Sequence, residues 1–213
     1  MTLASLEPPA GLRERKKQRT RDALVEAAFG LFRRKGFDAT TIDEIAEAVE
    51  LSPRTFFRYF ESKEDVALTL VEQQFSAVYA AFAARPAHEP VLTALRHAIV
   101  EMMRAAEGGT GGFDADRFTC LQQLMRDSPA IHARSMELCT SRLDELAACV
   151  AARMGVDPAA DPRPTLVAAV ASTAVQMAVV VWREAEPDQP VSVLTDRALA
   201  LLEQGINYPS AGS

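Results

Sequence analysis

The 213-residue sequence predicts an all-α fold: an N-terminal three-helix head with a helix-turn-helix, then a C-terminal helical bundle, about nine helices in all. Two observations carry this reading. Residues 41–63, TIDEIAEAVELSPRTFFRYFESK, encode two short helices and the start of a third, and every long segment after them shows apolar residues at helical spacing. The expected division is an N-terminal arm without fixed structure over 1–11, a helix-turn-helix head over 12–62, a helical body over 63–207, and a tail without fixed structure over 208–213.

The first helix spans about residues 12–35, with Leu24, Ala27, Ala28, Leu31 and Phe32 on one stripe. Its opening turns carry Arg13, Arg15, Lys16, Lys17, Arg19 and Arg21 against Glu14 and Asp22, a basic entrance to the head. Gly36 is expected to end it as a left-handed cap, and Phe37 to fold back into the head's core. Thr41 precedes a second amphipathic run, Ile42, Ile45, Ala46 and Val49. With Glu44 three residues on, side chain and carboxylate can cap each other's backbone donors. Ser52-Pro53 opens a third helix, a good N-cap followed by the residue pre-shaped for the first helical position. Phe56 and Phe60 face the core at i,i+4, while Arg54, Thr55, Arg58 and Tyr59 point elsewhere. Ser62, three residues before Asp65, caps a longer helix.

Two short helices joined by a turn of three or four residues, the second displaying Arg, Thr and aromatic groups, form a helix-turn-helix suited to the DNA major groove. The charge distribution agrees. Residues 1–63 hold 12 Lys+Arg against 10 Asp+Glu, a balance of +2, whereas residues 64–213 hold 11 against 19, a balance of −8. The whole chain is therefore acidic at −6, and only the DNA-facing surface needs positive charge.

The lead-in RERKKQRTRDAL, the run AAFGLFRRKGFDATTIDEIAEAV and the segment SPRTFFRYFESKEDV together resemble the TetR family of transcriptional regulators over about residues 12–66. The resemblance implies a contact set: Thr41 as a phosphate contact, Ser52 at the recognition-helix start, and Thr55, Tyr59 and Lys63 as backbone or base contacts. Arg54 and Arg58 stand at variable positions of the recognition helix and are the candidates for base reading, because Arg can bind guanine O6 and N7 with two hydrogen bonds. Phe57 departs from the family's Tyr, so its apolar contact remains without a phosphate-bonding hydroxyl. Glu50 stands where the family turn commonly has Gly, and a positive φ there costs about 1 kcal/mol.

In the body, residues 63–84 carry Val66, Leu70, Phe75, Val78, Tyr79 and Phe82 and stop at Arg85-Pro86. Pro90 opens the next helix, with Leu92, Leu95, Ile99, Met102 and Met103 near one stripe. Residues 108–112, GGTGG, lack the Lys-Ser/Thr of a phosphate-binding loop and read as a flexible linker. A helix over about 114–126 shows Phe118, Leu121, Leu124 and Met125, and Ser128-Pro129 caps another reaching about Met154. Residues 116–134, DRFTCLQQLMRDSPAIHAR, resemble the C-terminal domain of TetR-family members thought to sense acyl-CoA-like ligands, including the mycofactocin-regulator type. The last two helices, about 163–186 and 191–206, follow; the first is apolar nearly all round and needs burial on more than one side. The family pairs these two helices with their copies in a second subunit. Ala168, Ala171, Ala174 and Ala178 are expected to permit the close approach, with Val175 and Val179 between them.

Phe75, Tyr79, Phe82, Met102, Met103, Phe113, Phe118, Met125, Met177 and Trp182 are the candidates to line an apolar effector pocket, since Met and aromatic side chains adapt to a ligand. Arg96, Arg117 and His132 are candidates to meet an acidic group on it, although surface roles suit them better. No enzyme site is expected: His88, His97 and His132 are scattered, and no catalytic or metal-ligand spacing stands out. Cys120, Cys139 and Cys149 form no C-x-x-C pair, so neither zinc nor a disulfide framework is suggested, and no cofactor is expected. With no signal sequence and no uninterrupted run of 18 apolar residues, the expected location is the cytoplasm, away from membranes. The resulting expectation is a repressor that binds a near-palindromic double-stranded operator as a homodimer and leaves it when a small apolar or acyl-type effector binds. The alternative is a helical protein-interaction adaptor.

Overall fold

A computed structural model describes residues 11–206, with the Leu12 side chain excepted. The expected tail and all of the expected arm except Gly11 lie outside the described residues. The described chain is all-helical: α1 Leu12–Lys35, α2 Ile42–Glu47, α3 Pro53–Phe56, α4 Lys63–Ala84, α5 Val91–Glu107, α6 Ala115–Asp127, α7 Pro129–Ser141, α8 Leu143–Met154, α9 Arg163–Glu184 and α10 Val191–Gln204. The helix read from sequence over about 128–154 breaks at one residue, Arg142, and is numbered as α7 and α8. No Gly or Pro marks that break. It is held from outside, because the Arg142 carbonyl accepts a hydrogen bond from the Tyr79 hydroxyl at 3.3 Å while its guanidinium reaches Glu145 and Glu72.

The chain divides into two compact units whose boundary falls inside α4, between Thr69 and Leu70. The first unit buries Leu24, Val25, Ala28, Phe29 and Phe32 of α1 against Phe37, Ile45, Ala46, Phe56, Phe60 and the start of α4. Val25 and Phe29 extend the stripe read from sequence, whereas Ala27 and Leu31 are half-buried at its edge. The Phe32 and Phe37 rings lie 5.0 Å apart, so the chain does fold back at Phe37. Gly36 ends α1 differently from the expected left-handed cap: its φ of 86° comes with ψ of 163°, an extended conformation reserved for glycine, and its N–H donates to the Phe32 carbonyl.

In the second unit α9 packs on α8 and α10, and α10 packs on α5. Charged pairs fix α10 to α5. Arg96 donates to Asp196 at 2.7 Å and to Glu203 at 2.6 Å, and Glu107 accepts from the Ser192 N–H at 2.9 Å and its hydroxyl at 2.6 Å. Arg153 of α8 donates to the carbonyls of Phe82, Arg85, Pro86 and Glu89 and lies 5.3 Å from the Phe82 ring centre, which ties α8 to the last turn of α4 and the turn that follows it. The glycine-rich segment 108–112 is held more firmly than a linker: Thr110 donates its N–H to Ala105, and Gln73 reaches the Gly112 carbonyl at 3.1 Å.

Candidate DNA-reading head and effector cavity

Local capping builds the head. The Glu44 N–H donates to the Thr41 hydroxyl at 3.3 Å and the Thr41 N–H to the Glu44 carboxylate at 2.9 Å, so both donors of the expected capping box are satisfied. Lys35 also pairs with Glu44, and its bond, with those from Thr41, holds the Glu44 carboxyl down to about 2. The connection between α2 and α3, residues 48–52, is longer than the turn of three or four expected. It contains Glu50 at φ 56°, a left-handed position where a side chain is strained. Ser52 caps α3 by accepting from the Thr55 N–H at 3.2 Å.

The recognition segment continues past Phe56 in tight turns: Arg58 donates to Thr55, Tyr59 to Phe56 and Phe60 to Phe56. Phe56 and Phe60 are thereby buried, while Ser52, Arg54, Phe57 and Arg58 are exposed and Thr55 and Tyr59 half-buried. Phe57, 56% exposed, presents its ring edge-on to Phe56. The Arg58 guanidinium lies 5.4 Å from the Tyr59 ring centre and, as the largest cause, lowers the Tyr59 hydroxyl's pKa. Lys63 has an internal engagement that sequence reading missed. Its ammonium donates to the Phe37 carbonyl at 2.8 Å and the Thr40 carbonyl at 3.0 Å and sits 4.3 Å from the Phe37 ring centre. It clamps the turn after α1 to the start of α4, which leaves it less free for DNA than the exposed arginines.

The second unit holds a cavity of about 140 Å³. Of the residues expected there, Phe75, Tyr79, Met102, Met103, Phe118 and Met125 do line it. Phe82, Met177 and Trp182 do not. Phe82 is buried under Arg153, Met177 is 50% exposed on the outer face of α9, and Trp182 stacks with Arg126 at 4.4 Å. Phe113 packs against the core outside the lining. Arg96 and Arg117 are also outside it, with Arg96 engaged by Asp196 and Glu203 and Arg117 near Asp114. His132 lines it, together with polar residues that sequence reading did not single out: Gln74, Gln122, Ser135, Ser172 and Gln176. Only the i,i+4 spacing of Ser172 and Gln176 within an apolar helix could have flagged any of them. Tyr79 is pushed up to about 12, chiefly by burial, and burial also raises the Cys139 and Cys149 thiols, so these cysteines are held in the unreactive protonated form.

The faces of α9 are distributed differently from the sequence reading. Ala168, Ala171 and Ala178 are buried within their own unit, and Val175 and Val179 line the cavity. The uncovered apolar residues are Leu166, Met177 and Val181 of α9 and Val193 and Leu201 of α10. Because nearly every position on α9 is apolar, composition could not say which face turns inward. The helix is long and apolar enough to cross a membrane, with mean hydropathy 1.9 over 18 residues, yet 28% of that window is already buried by its own chain. Among the described residues no cluster of His, Cys, Asp and Glu could hold a metal ion.

Residues 24–70 match the model for bacterial regulatory proteins of the tetR family, and residues 89–207 match the MftR C-terminal domain, more than half of the chain. The chain belongs to the TetR family. It is 41% identical to the HTH-type transcriptional regulator TcmR of Streptomyces glaucescens over 161 residues, 75% of this chain and 71% of that one. Its fold is similar to that of Thermus thermophilus FadR, a TetR-family repressor solved with lauroyl-CoA, at TM-score 0.55 and 22% identity over 91% of this chain and 98% of that one. It is also similar to SmeT, the repressor of a Stenotrophomonas maltophilia multidrug efflux pump, in a triclosan complex, at TM-score 0.56 and 15% identity over 86% and 91%. This TetR-family chain is thus a ligand-responsive DNA-binding regulator rather than an enzyme, and its family acts as dimers on DNA operators.

Proposed function

We propose that this regulator is a cytoplasmic repressor that binds a near-palindromic operator as a homodimer and releases it when a predominantly apolar small molecule fills the body cavity. The observation that carries the reading is the exposure of Arg54 and Arg58 on a recognition segment whose Phe56 and Phe60 are anchored in the head, in the same chain as a largely apolar cavity. Arg54 and Arg58 read base edges, while Thr41, Ser52, Thr55 and Tyr59 meet the DNA backbone and Phe57 adds an apolar contact. Lys63 contributes mainly by holding the turn before α2. The proposed boundaries are those of the sequence reading, with the head ending at α4.

Dimerisation places two heads on two half-sites, and the uncovered apolar face of α9 and α10 is the surface it uses. A second copy covering that face also accounts for a helix apolar enough for a membrane in a protein whose work is on DNA. FadR and SmeT, seen with lauroyl-CoA and triclosan, support an apolar or acyl-type effector. The effector acts by population shift: it favours a body state whose heads are wrongly set for the operator, and α4, which begins in the head and ends in the body, transmits the change.

The test is selection of binding sites from a random duplex pool, followed by a reporter carrying the selected site downstream of its promoter. Expression should fall when the protein is present. Unchanged or raised expression would overturn the repressor assignment.

A further inference from the structure

The recognition segment exposes three side chains side by side: Arg54, Phe57 and Arg58. Phe57 and Arg58 follow Arg54 at i,i+3 and i,i+4, so the three share one helical face, opposite the buried Phe56 and Phe60. The Phe57 ring is braced in place. It meets the Phe56 ring edge-on, 5.6 Å between centres and 87° between planes, while the Phe57 N–H donates to the Pro53 carbonyl at 3.1 Å. More than half of this ring nevertheless faces outward between two arginines. Such a group gains from an apolar partner, and the flanking cations require that partner to lie among negative charge.

A DNA duplex offers the ring two kinds of surface, the sugar-phosphate backbone and the base edges of the major groove. Pressing the ring on a phosphate strips water from the charge and returns no hydrogen bond, because Phe57 has no hydroxyl to donate. Thr55 and Tyr59, which do carry hydroxyls, are half-buried beside the exposed face. Among the base edges of the major groove, the apolar feature is the C5 methyl group of thymine. From this we infer that Phe57 is a specificity-determining residue, whose ring packs against a thymine methyl in the half-site, next to the bases that Arg54 and Arg58 read. The inference rests on the proposed operator-reading role of the segment. The rival is a ring laid on sugar carbons of the backbone, which adds affinity and no sequence preference.

The full-length protein is titrated with the duplex selected from the random pool and with versions in which each half-site thymine, together with its symmetry mate, is replaced by uracil. Uracil keeps every hydrogen-bonding group of thymine and lacks only the methyl. For the parent, uracil at one thymine position should weaken binding about fourfold per half-site, the worth of one buried methyl-sized group. Phe57→Ala should bind that uracil duplex and the thymine duplex alike, while its arginines still favour the selected duplex over a shuffled one. That remaining preference also shows that the variant is folded. If the alanine variant unfolds, Phe57→Leu takes its place and should show a reduced thymine preference. A parent indifferent to uracil at every position, or a selected half-site without thymine, overturns the inference and leaves the arginine reading standing. A thymine preference unchanged in the variant overturns it too, since another residue then reads the methyl. An equal loss by the variant on selected and shuffled duplexes overturns it in favour of the rival. A parent that prefers no sequence overturns both the inference and the operator reading beneath it.

Discussion

The head and the body of this regulator are specified by different physics. In the head the caps and the recognition-helix anchor are set by residues a few positions apart, Thr41 with Glu44, Ser52 with Thr55, Ser62 with Asp65 and Phe56 with Phe60, with the Lys63 clamp the long-range exception. In the body the decisive partners are far apart in the chain, such as Arg96 with Asp196, Arg153 with the end of α4, and Tyr79 with Arg142. A surface that reads DNA must present the same side chains every time, and local capping secures that. A cavity that accepts a ligand depends on which helix faces turn inward, and only tertiary packing decides it.

The most disruptive way to break this comparison is at the proposed dimer face, which lies in the body but is needed by the head. Met177→Glu with Val181→Glu should convert a dimer of twice 23.2 kDa into a monomer in sedimentation velocity, weakening association by about a hundredfold or more, because two charges would be buried unpaired. Next in size, Arg153→Met removes the donor that serves four carbonyls in the last turn of α4 and the turn after it. It should cost the body about 2–4 kcal/mol in urea unfolding and leave the head's own transition in place. An equal loss in the head would show that the two regions are not separately specified.

Smaller effects sharpen the head. The Glu44 carboxyl, held down to about 2 by Lys35 and Thr41, contributes stability that is present above its ordinary value near 4.5 and is lost as pH falls through about 2. The melting temperature of Glu44→Gln should therefore lie below that of the parent at pH 7, with the gap closing as pH is lowered from 4.5 towards 2. Smallest of all, Glu50→Gly should stabilise the head by about 0.5–1 kcal/mol, since glycine removes the strain of φ 56° but adds chain entropy to the unfolded state.

The same contrast explains how far the sequence could be read. The capping box, the Ser52 and Ser62 caps and the buried Phe56 and Phe60 were legible because each follows from neighbours in the chain, and the positive φ at Glu50 because the family turn commonly has Gly there. The internal engagement of Lys63 was not, since its acceptors Phe37 and Thr40 lie 26 and 23 residues away. In the body, α9 offered no contrast by which to tell its faces apart, so Ala168, Ala171 and Ala178 turned out to face inward and Met177 outward. Met and aromatic composition found six cavity residues and misplaced Phe82, Phe113, Met177 and Trp182. It gave no warning of the neutral polar lining residues Gln74, Gln122, Ser135, Ser172 and Gln176.

The central claim is that the exposed arginines of the head read sequence, and operator affinity measured across salt concentrations tests it most directly. The selected duplex and a shuffled duplex are titrated with the parent protein and with Arg54→Ala/Arg58→Ala. For the parent, log affinity should fall linearly with log salt and favour the selected site at every concentration. The double variant should lose about 2–6 kcal/mol per half-site on the selected duplex and most of its preference over the shuffled one. Salt-insensitive binding by the parent, or a double variant that keeps the parent's selectivity, would contradict the account and favour the protein-interaction adaptor.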